Sequence, residues 1–315
     1  MNATYLDTVR LLLSIAPDVF ATRNFAMKGG TALNLFLQDL PRLSVDIDVV
    51  FLPHEPTRED ALEQIKEELA RASAAIERQG FAVKYSHTAA EKKQKGSEVK
   101  LTVFSEAAAV KVEVNYVFRG TLLVPEPRPL VPAARELFNV EFELPTLQVA
   151  ELYGSKLVAA LDRQHPRDIF DVMHMYETFG LNSDFVDAFV AYVVGHDRPI
   201  HEVLGAKAKS LVSAHDAEFT GMTIEEVAVD KLSDVQKRLH RELPRALTQD
   251  HRAFLNSLVR LEPDWSLMPY GHLKDLPAVR WKLQNLEKLR ASNPGKFASQ
   301  EALLNRCFEA LDESD

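Results

Sequence analysis

The sequence predicts an α+β protein: a small mixed β-sheet with flanking helices, followed by a mostly α-helical domain. Three observations carry that reading. Residues 81–118 hold three short runs rich in Val, Thr, Tyr and Phe, and the last of them alternates cleanly between apolar and polar residues. Residues 25–51 join a short apolar strand to a Gly-Gly pair, a short apolar helix and a second strand. From Thr146 onward the apolar spacing becomes helical and stays so.

In chain order, residues 3–20 form an amphipathic opening helix with Leu6, Val9, Leu12 and Leu13 near helical spacing, and Phe25–Lys28 is the first strand. Gly29 and Gly30 make a sharp turn into a helix begun by Thr31, Ala32 and Leu33, and Val45–Phe51 is the second strand. Thr57 caps a long helix that ends near Gln79, with Gly80 as its stop and Ala61, Ile65, Leu69, Ala72 and Ile76 as its buried stripe. Phe81–His87 and Glu98–Phe104 flank a basic tip carrying Lys92, Lys93 and Lys95, read as a solvated hairpin loop before a nucleic-acid contact. Val110–Phe118 places Val110, Val112, Val114 and Tyr116 on one face and Lys111, Glu113 and Asn115 on the other. Pro125, Pro127, Pro129, Pro132 and Pro145 read as a crossover, so the core is residues 1–125 and the helical domain residues 126–315. Helices are then expected at Leu147–Leu161, Arg167–Phe179, Asp184–Val194, His201–Ser213, within 224–260 and around Leu276–Leu286.

Composition narrows the class. A chain of 315 residues, 46% hydrophobic and 26% charged, has the makeup of an ordinary globular protein of one or two domains. One cysteine, Cys307, excludes an intramolecular disulfide and multi-cysteine zinc sites, and fits a reducing cytoplasm. The apolar run Leu11–Ile15 is too short to span a bilayer. A net charge of -9 argues against a broad nucleic-acid-binding surface while leaving room for a local basic groove. The histidines lack a metal-binding spacing, and Trp265 and Trp281 read as core residues.

The chemistry concentrates between Lys28 and Asp48. Glycines at 29 and 30 let the backbone approach a bound group, and the free N–H groups of the helix that follows favour an anion. Asp46 and Asp48 share one face of their strand, where paired carboxylates can hold Mg²⁺ for phosphoryl chemistry. Glu113, in the middle of an otherwise buried strand, is a third candidate for the same metal. Arg42 and Ser44 lie between the two halves as candidate phosphate contacts. In the helical part, Asp168 and Asp171 are three apart and share a helix face, with Lys156 and Arg167 nearby in sequence.

Lys28-Gly-Gly-Thr-Ala-Leu33 followed by Arg42-Leu-Ser-Val-Asp-Ile-Asp48 resembles the signature of the DNA polymerase beta-like nucleotidyltransferase superfamily, and in particular its AbiEii/AbiGii toxin branch. The likeness covers most of the chain and is densest at 25–51 and 147–176. It implies a nucleotidyltransferase core, with the helical domain completing the active-site cleft. Asp46, Asp48 and Glu113 would be the metal ligands; Lys28, Gly29, Gly30, Thr31, Arg42 and Ser44 would hold the nucleotide. Lys156 would contact the triphosphate, and Asp168 would support the site, with Arg167 and Asp171 less firmly assigned. The implied activity is Mg²⁺-dependent transfer of NMP from NTP to an acceptor hydroxyl, the 3′ end of tRNA, blocking translation under the control of a cognate antitoxin. A protein-nucleotidylating enzyme and a non-catalytic nucleotide-binding module of the same fold are the alternatives.

Overall fold

The computed structural model describes residues 3–86 and 98–312. The basic tip with Lys92, Lys93 and Lys95 lies outside the described residues. The chain divides into two compact units, Met1–Leu152 with Thr220–Glu226, and Tyr153–Phe219 with Val227–Asp315.

The first unit is built on a seven-stranded mixed sheet. Its strands are β1 (Phe25–Lys28), β2 (Asp46–Phe51), β3 (Ala82–Ser86), β4 (Glu98–Phe104), β5 (Ala109–Asn115), β6 (Glu126–Pro129) and β7 (Glu143–Thr146), in the order β3-β4-β5-β2-β1-β7-β6. β2 runs antiparallel to β1 and parallel to β5. The alternation read from sequence is real: Ile47, Val49, Val112, Val114, Leu101 and Val103 are all buried. Helices α1 (Ala3–Val19) and α3 (Arg58–Arg78) pack on strands of this sheet with their apolar stripes, Ala61, Ile65, Leu69, Ala72 and Ile76 in α3 being buried as expected. Thr57 caps α3 by accepting a hydrogen bond from the Asp60 N–H.

The proline-rich stretch is part of the sheet rather than a plain crossover. β7 pairs parallel to β1 at Met27 and Thr146, and β6 pairs antiparallel to β7. Prolines can enter β6 because it is the edge strand, where a missing N–H costs no ladder bond. Between them α4 (Pro132–Phe138) starts on a proline and stops at Asn139 in the left-handed region. The sheet unit therefore runs past residue 125 to Leu152.

The second unit is helical. Its elements are α5 (Val149–Asp162, beginning in the first unit), α6 (Pro166–Thr178), α7 (Ser183–Gly195), α8 (Ile200–Leu204), α9 (Val212–Glu218), α10 (Val229–Arg245), α11 (Gln249–Val259), α12 (Pro277–Ser292) and α13 (Pro294–Asp312). The single helix expected at His201–Ser213 is instead two short ones. Gly205 ends α8, and the Lys209 N–H donates to the Gln164 side chain instead of a helical carbonyl. Trp265 packs against Phe254, whereas Trp281 is 41% exposed, a departure from the core reading of both rings. Among the described residues no helix is long and apolar enough to cross a membrane.

Candidate active site

The site in the first unit is assembled by strand register. Asp48 on β2 pairs with Lys28 on β1 and with Glu113 on β5, so these three side chains leave the same face of the sheet in one row. Asp46 pairs with Lys111 of β5 one step along the same face. The opposite face is closed by Met27, Ile47, Val49, Val112 and Val114, so only the carboxylate face can meet a ligand. Asp46 and Asp48 are partly exposed, and Glu113 receives the Lys100 ammonium at 2.7 Å. Lys100 had no signal in the sequence, because its role follows from the β4–β5 register that sets it opposite Glu113.

The glycine turn lies against this row. Helix α2 (Gly29–Phe36) starts on the glycines themselves, so the turn is its first residue pair rather than a separate loop. Its N-cap position, Lys28, gives no side-chain cap, leaving the first N–H groups to other acceptors. Gly29 has a φ of 76°, and a Cβ added there would sit 2.1 Å from Asp48 Oδ2. A Cβ on Gly30 would sit 2.6 Å from Arg42 Nη2 and 3.2 Å from Ser44 Oγ. Arg42 is buried, with Nη1 donating to the Leu43 carbonyl at 3.0 Å. Thr31 Oγ1 donates to the Asp46 carbonyl and lies 2.9 Å from Ser44 Oγ, which ties the helix start to the aspartate strand. Lys28, Gly29, Gly30, Thr31, Arg42, Ser44, Asp46, Asp48 and Glu113 thus form one neighbourhood.

A segment that sequence reasoning missed fixes the Arg42 loop. Residues 220–226 return to the sheet unit, where Thr223 bridges Arg42 in antiparallel fashion. The Leu43 N–H donates to the Met222 carbonyl at 2.8 Å and the Ile224 N–H to the Pro41 carbonyl at 3.3 Å, one bond on each side of Arg42. Ile224→Pro removes the second donor, while Ile224→Ala keeps it. If this strap positions the guanidinium, the proline variant weakens nucleotide binding by roughly fivefold, about the value of one hydrogen bond, and the alanine variant binds as wild type. Equal affinities for the two variants in a fluorescent-nucleotide titration would dismiss the strap.

The second unit contains Lys156, Asp168 and Asp171. Lys156 Nζ lies 2.9 Å from Asp168 Oδ1 and 2.9 Å from Asp171 Oδ2, and all three residues are buried. Arg163 adds a two-pronged contact to Asp168 at 2.6 and 2.9 Å. Burial pushes the Asp168 carboxyl upward, but the Lys156 ammonium and Arg163 guanidinium outweigh it and hold the group well below the usual carboxylate range. Arg167 points elsewhere, to Glu218 at 3.9 Å. Removing one member of a buried charge cluster leaves the others uncompensated, so Lys156→Ala should cost about 3–5 kcal/mol in urea unfolding. Because the Asp168 pKa is depressed on folding, its stabilisation is complete above the ordinary carboxylate pKa and is lost as pH falls below about 4. An Asp168→Asn variant should lose that acid-dependent component.

Residues 10–285 match the model of the family described as nucleotidyl transferase AbiEii toxin, type IV TA system. No curated protein matches the sequence. Among solved structures the fold is similar to MenT4, a nucleotidyltransferase toxin from Mycobacterium tuberculosis H37Rv, at 19% identity and a TM-score of 0.58 over 90% of this chain and 94% of that one. With most of its length matched to the family model, the chain belongs to the AbiEii nucleotidyltransferase toxins of type IV toxin–antitoxin systems.

Proposed function

We propose that this enzyme transfers a nucleoside monophosphate from an NTP to the 3′ end of tRNA, with Asp46, Asp48 and Glu113 as its metal-binding carboxylates. The observation that supports it best is the register: Asp48 and Glu113 are direct cross-strand partners, with Gly29 packed against the Asp48 carboxylate. Among the described residues no three acidic, histidine or cysteine side chains are gathered into a ready metal cage. Asp46, Asp48 and Glu113 would therefore hold the cation together with water and phosphate oxygens, ligands that Mg²⁺ commonly keeps. When bound, the cation would supply Lewis-acid stabilisation of the charged phosphates.

The remaining steps belong to the chain. The first N–H groups of α2 and the Arg42 guanidinium bind phosphate oxygens, and Thr31 and Ser44 keep that helix start against β2. Lys28, opposite Asp48, adds a positive charge on the same face. The acceptor oxygen bonds to the α-phosphorus as the bond to the bridging α–β oxygen breaks and pyrophosphate departs. Glu113 takes the acceptor proton, with Lys100 balancing its charge. Lys156 and Asp168 enter the proposal through the family likeness: the two aspartates hold the Lys156 ammonium in a fixed place, as a cation serving the triphosphate must be held. On this reading a cognate antitoxin restrains the activity.

An acceptor assay tests this. Each labelled NTP is offered with Mg²⁺ and either total tRNA or a protein extract. Label on tRNA, absent with Asp46→Ala/Asp48→Ala, is expected; label on protein alone would replace the tRNA acceptor with a protein hydroxyl.

A further inference from the structure

The open face of the sheet continues past the carboxylates, and its composition changes. The β3–β4–β5 register sets Lys84, Thr102 and Lys111 in one row across the three strands. The next row is Ala82, Phe104 and Ala109. Lys84 and Lys111 are both exposed, and Lys111 lies opposite Asp46 of β2 in register. Phe104 is 39% exposed, with an alanine on either side, so neither neighbour is large enough to cover its ring. Lys100, 30% exposed, continues the positive charge back to Glu113.

In a chain of net charge -9, this strip gathers three lysines locally; Lys100 is held by Glu113 and Lys111 lies opposite Asp46, while Lys84 stands at the far end of the row. An aromatic ring left in water forgoes burial, so the exposure of Phe104 does not help the fold. Together, on a flat β-surface, the lysines and the ring make a phosphate track beside a stacking platform, the combination that binds single-stranded RNA. Adjacent strands are about 4.8 Å apart and alternate residues about 6.8 Å, so Phe104 lies two rows, about 14 Å, from the Glu113 row.

We propose that this face, through Lys84, Lys111 and Phe104, holds the RNA strand whose terminal hydroxyl is the acceptor. The phosphates run over the lysine row and a base stacks on Phe104. The proposal rests on the nucleotidyltransferase reading for the position of the reacting end, and it commits the acceptor to RNA.

Binding can be measured apart from turnover. A short fluorescein-labelled single-stranded RNA is titrated with the full-length protein in EDTA at several salt concentrations, and NTP affinity is measured in parallel. Phe104→Ala should weaken RNA binding by about fivefold or more, the loss of one stacked base. Lys84→Glu/Lys111→Glu should weaken it more than about tenfold and reduce the slope of log affinity against log salt by about 1.4. Lys288→Glu, on the helical unit, should leave the slope nearly unchanged. NTP affinity should stay within about twofold of wild type in Phe104→Ala and Lys288→Glu, whereas the double-lysine variant, which changes the residue opposite Asp46, is read by its RNA affinity and salt slope. Wild-type RNA affinity and slope in the Phe104 and double-lysine variants would overturn the proposal, as would a wild-type protein that binds no RNA. Retained NTP transfer in that case would leave the enzyme reading standing. Lost NTP transfer with intact RNA binding would instead strike the enzyme reading alone.

Discussion

Asp48→Asn should lower nucleotide transfer by about a thousandfold while leaving the protein folded. Asp48 is the middle member of the carboxylate row, flanked in register by Lys28 and Glu113. The amide keeps the shape of the side chain and removes its charge, so the loss falls on electrostatic stabilisation of the phosphates, where removing a single positioned group costs about 10²–10³ and a metal-holding carboxylate the upper end of that range. The side chain is only partly buried, so the unfolding midpoint should move by no more than a few degrees. Full transfer with unchanged Mg²⁺ dependence would take Asp48 out of the site.

Gly29→Ala should damage both stability and catalysis, and by a different route. The φ of 76° places residue 29 in the left-handed region, where a side chain costs about 1–2 kcal/mol. In addition, the new Cβ would fall 2.1 Å from Asp48 Oδ2, closer than any non-bonded contact, so the carboxylate has to move. A total of about 2 kcal/mol or more in unfolding free energy is expected, with transfer falling about a hundredfold as Asp48 leaves its position. Combined with Asp48→Asn, Gly29→Ala should add little further catalytic loss, since both act on one group. Gly30→Ala is the contrast: its Cβ meets the tip of Arg42, which can shift, and no positive φ is involved. If Gly29→Ala proves as active as wild type, the close approach of the glycine turn to Asp48 has no catalytic consequence.

Much of the sheet unit was legible because its signals are local. Alternation in Val110–Tyr116 and Ile47–Val49 fixed which face is buried, and Thr57 and Gly80 bracketed α3 to within two residues. The cost of an isolated mid-strand acid calls for a partner to Glu113 near the aspartate strand; the β2–β5 register sets it beside Asp48, and Lys100 supplies the compensating charge. What stayed hidden depends on partners distant in sequence. β6 and β7 looked like a proline crossover because their strand character comes from pairing with β1 and with each other. The 220–226 strap reads as ordinary helix-flanking sequence until it meets Pro41–Leu43. Lys100 and Phe104 became legible only with the register of β4 against β5. Spacing pairs Asp168 with Asp171, the family likeness adds Lys156, and neither reveals that both carboxylates grip one ammonium in a buried cluster. That cluster gives Lys156→Ala a stability cost that must be separated from any change in NTP affinity.

The most direct test of the central claim follows pyrophosphate release and label transfer from α-³²P-labelled NTPs in one reaction, with Mg²⁺ or EDTA, comparing wild type with the Asp48→Asn protein. The account predicts stoichiometric pyrophosphate and acceptor label in wild type with Mg²⁺, and neither with EDTA or with Asp48→Asn. Label transfer that persists in the Asp48→Asn protein, or that needs no divalent cation, would contradict the assignment of the Asp46–Asp48–Glu113 face as the catalytic centre.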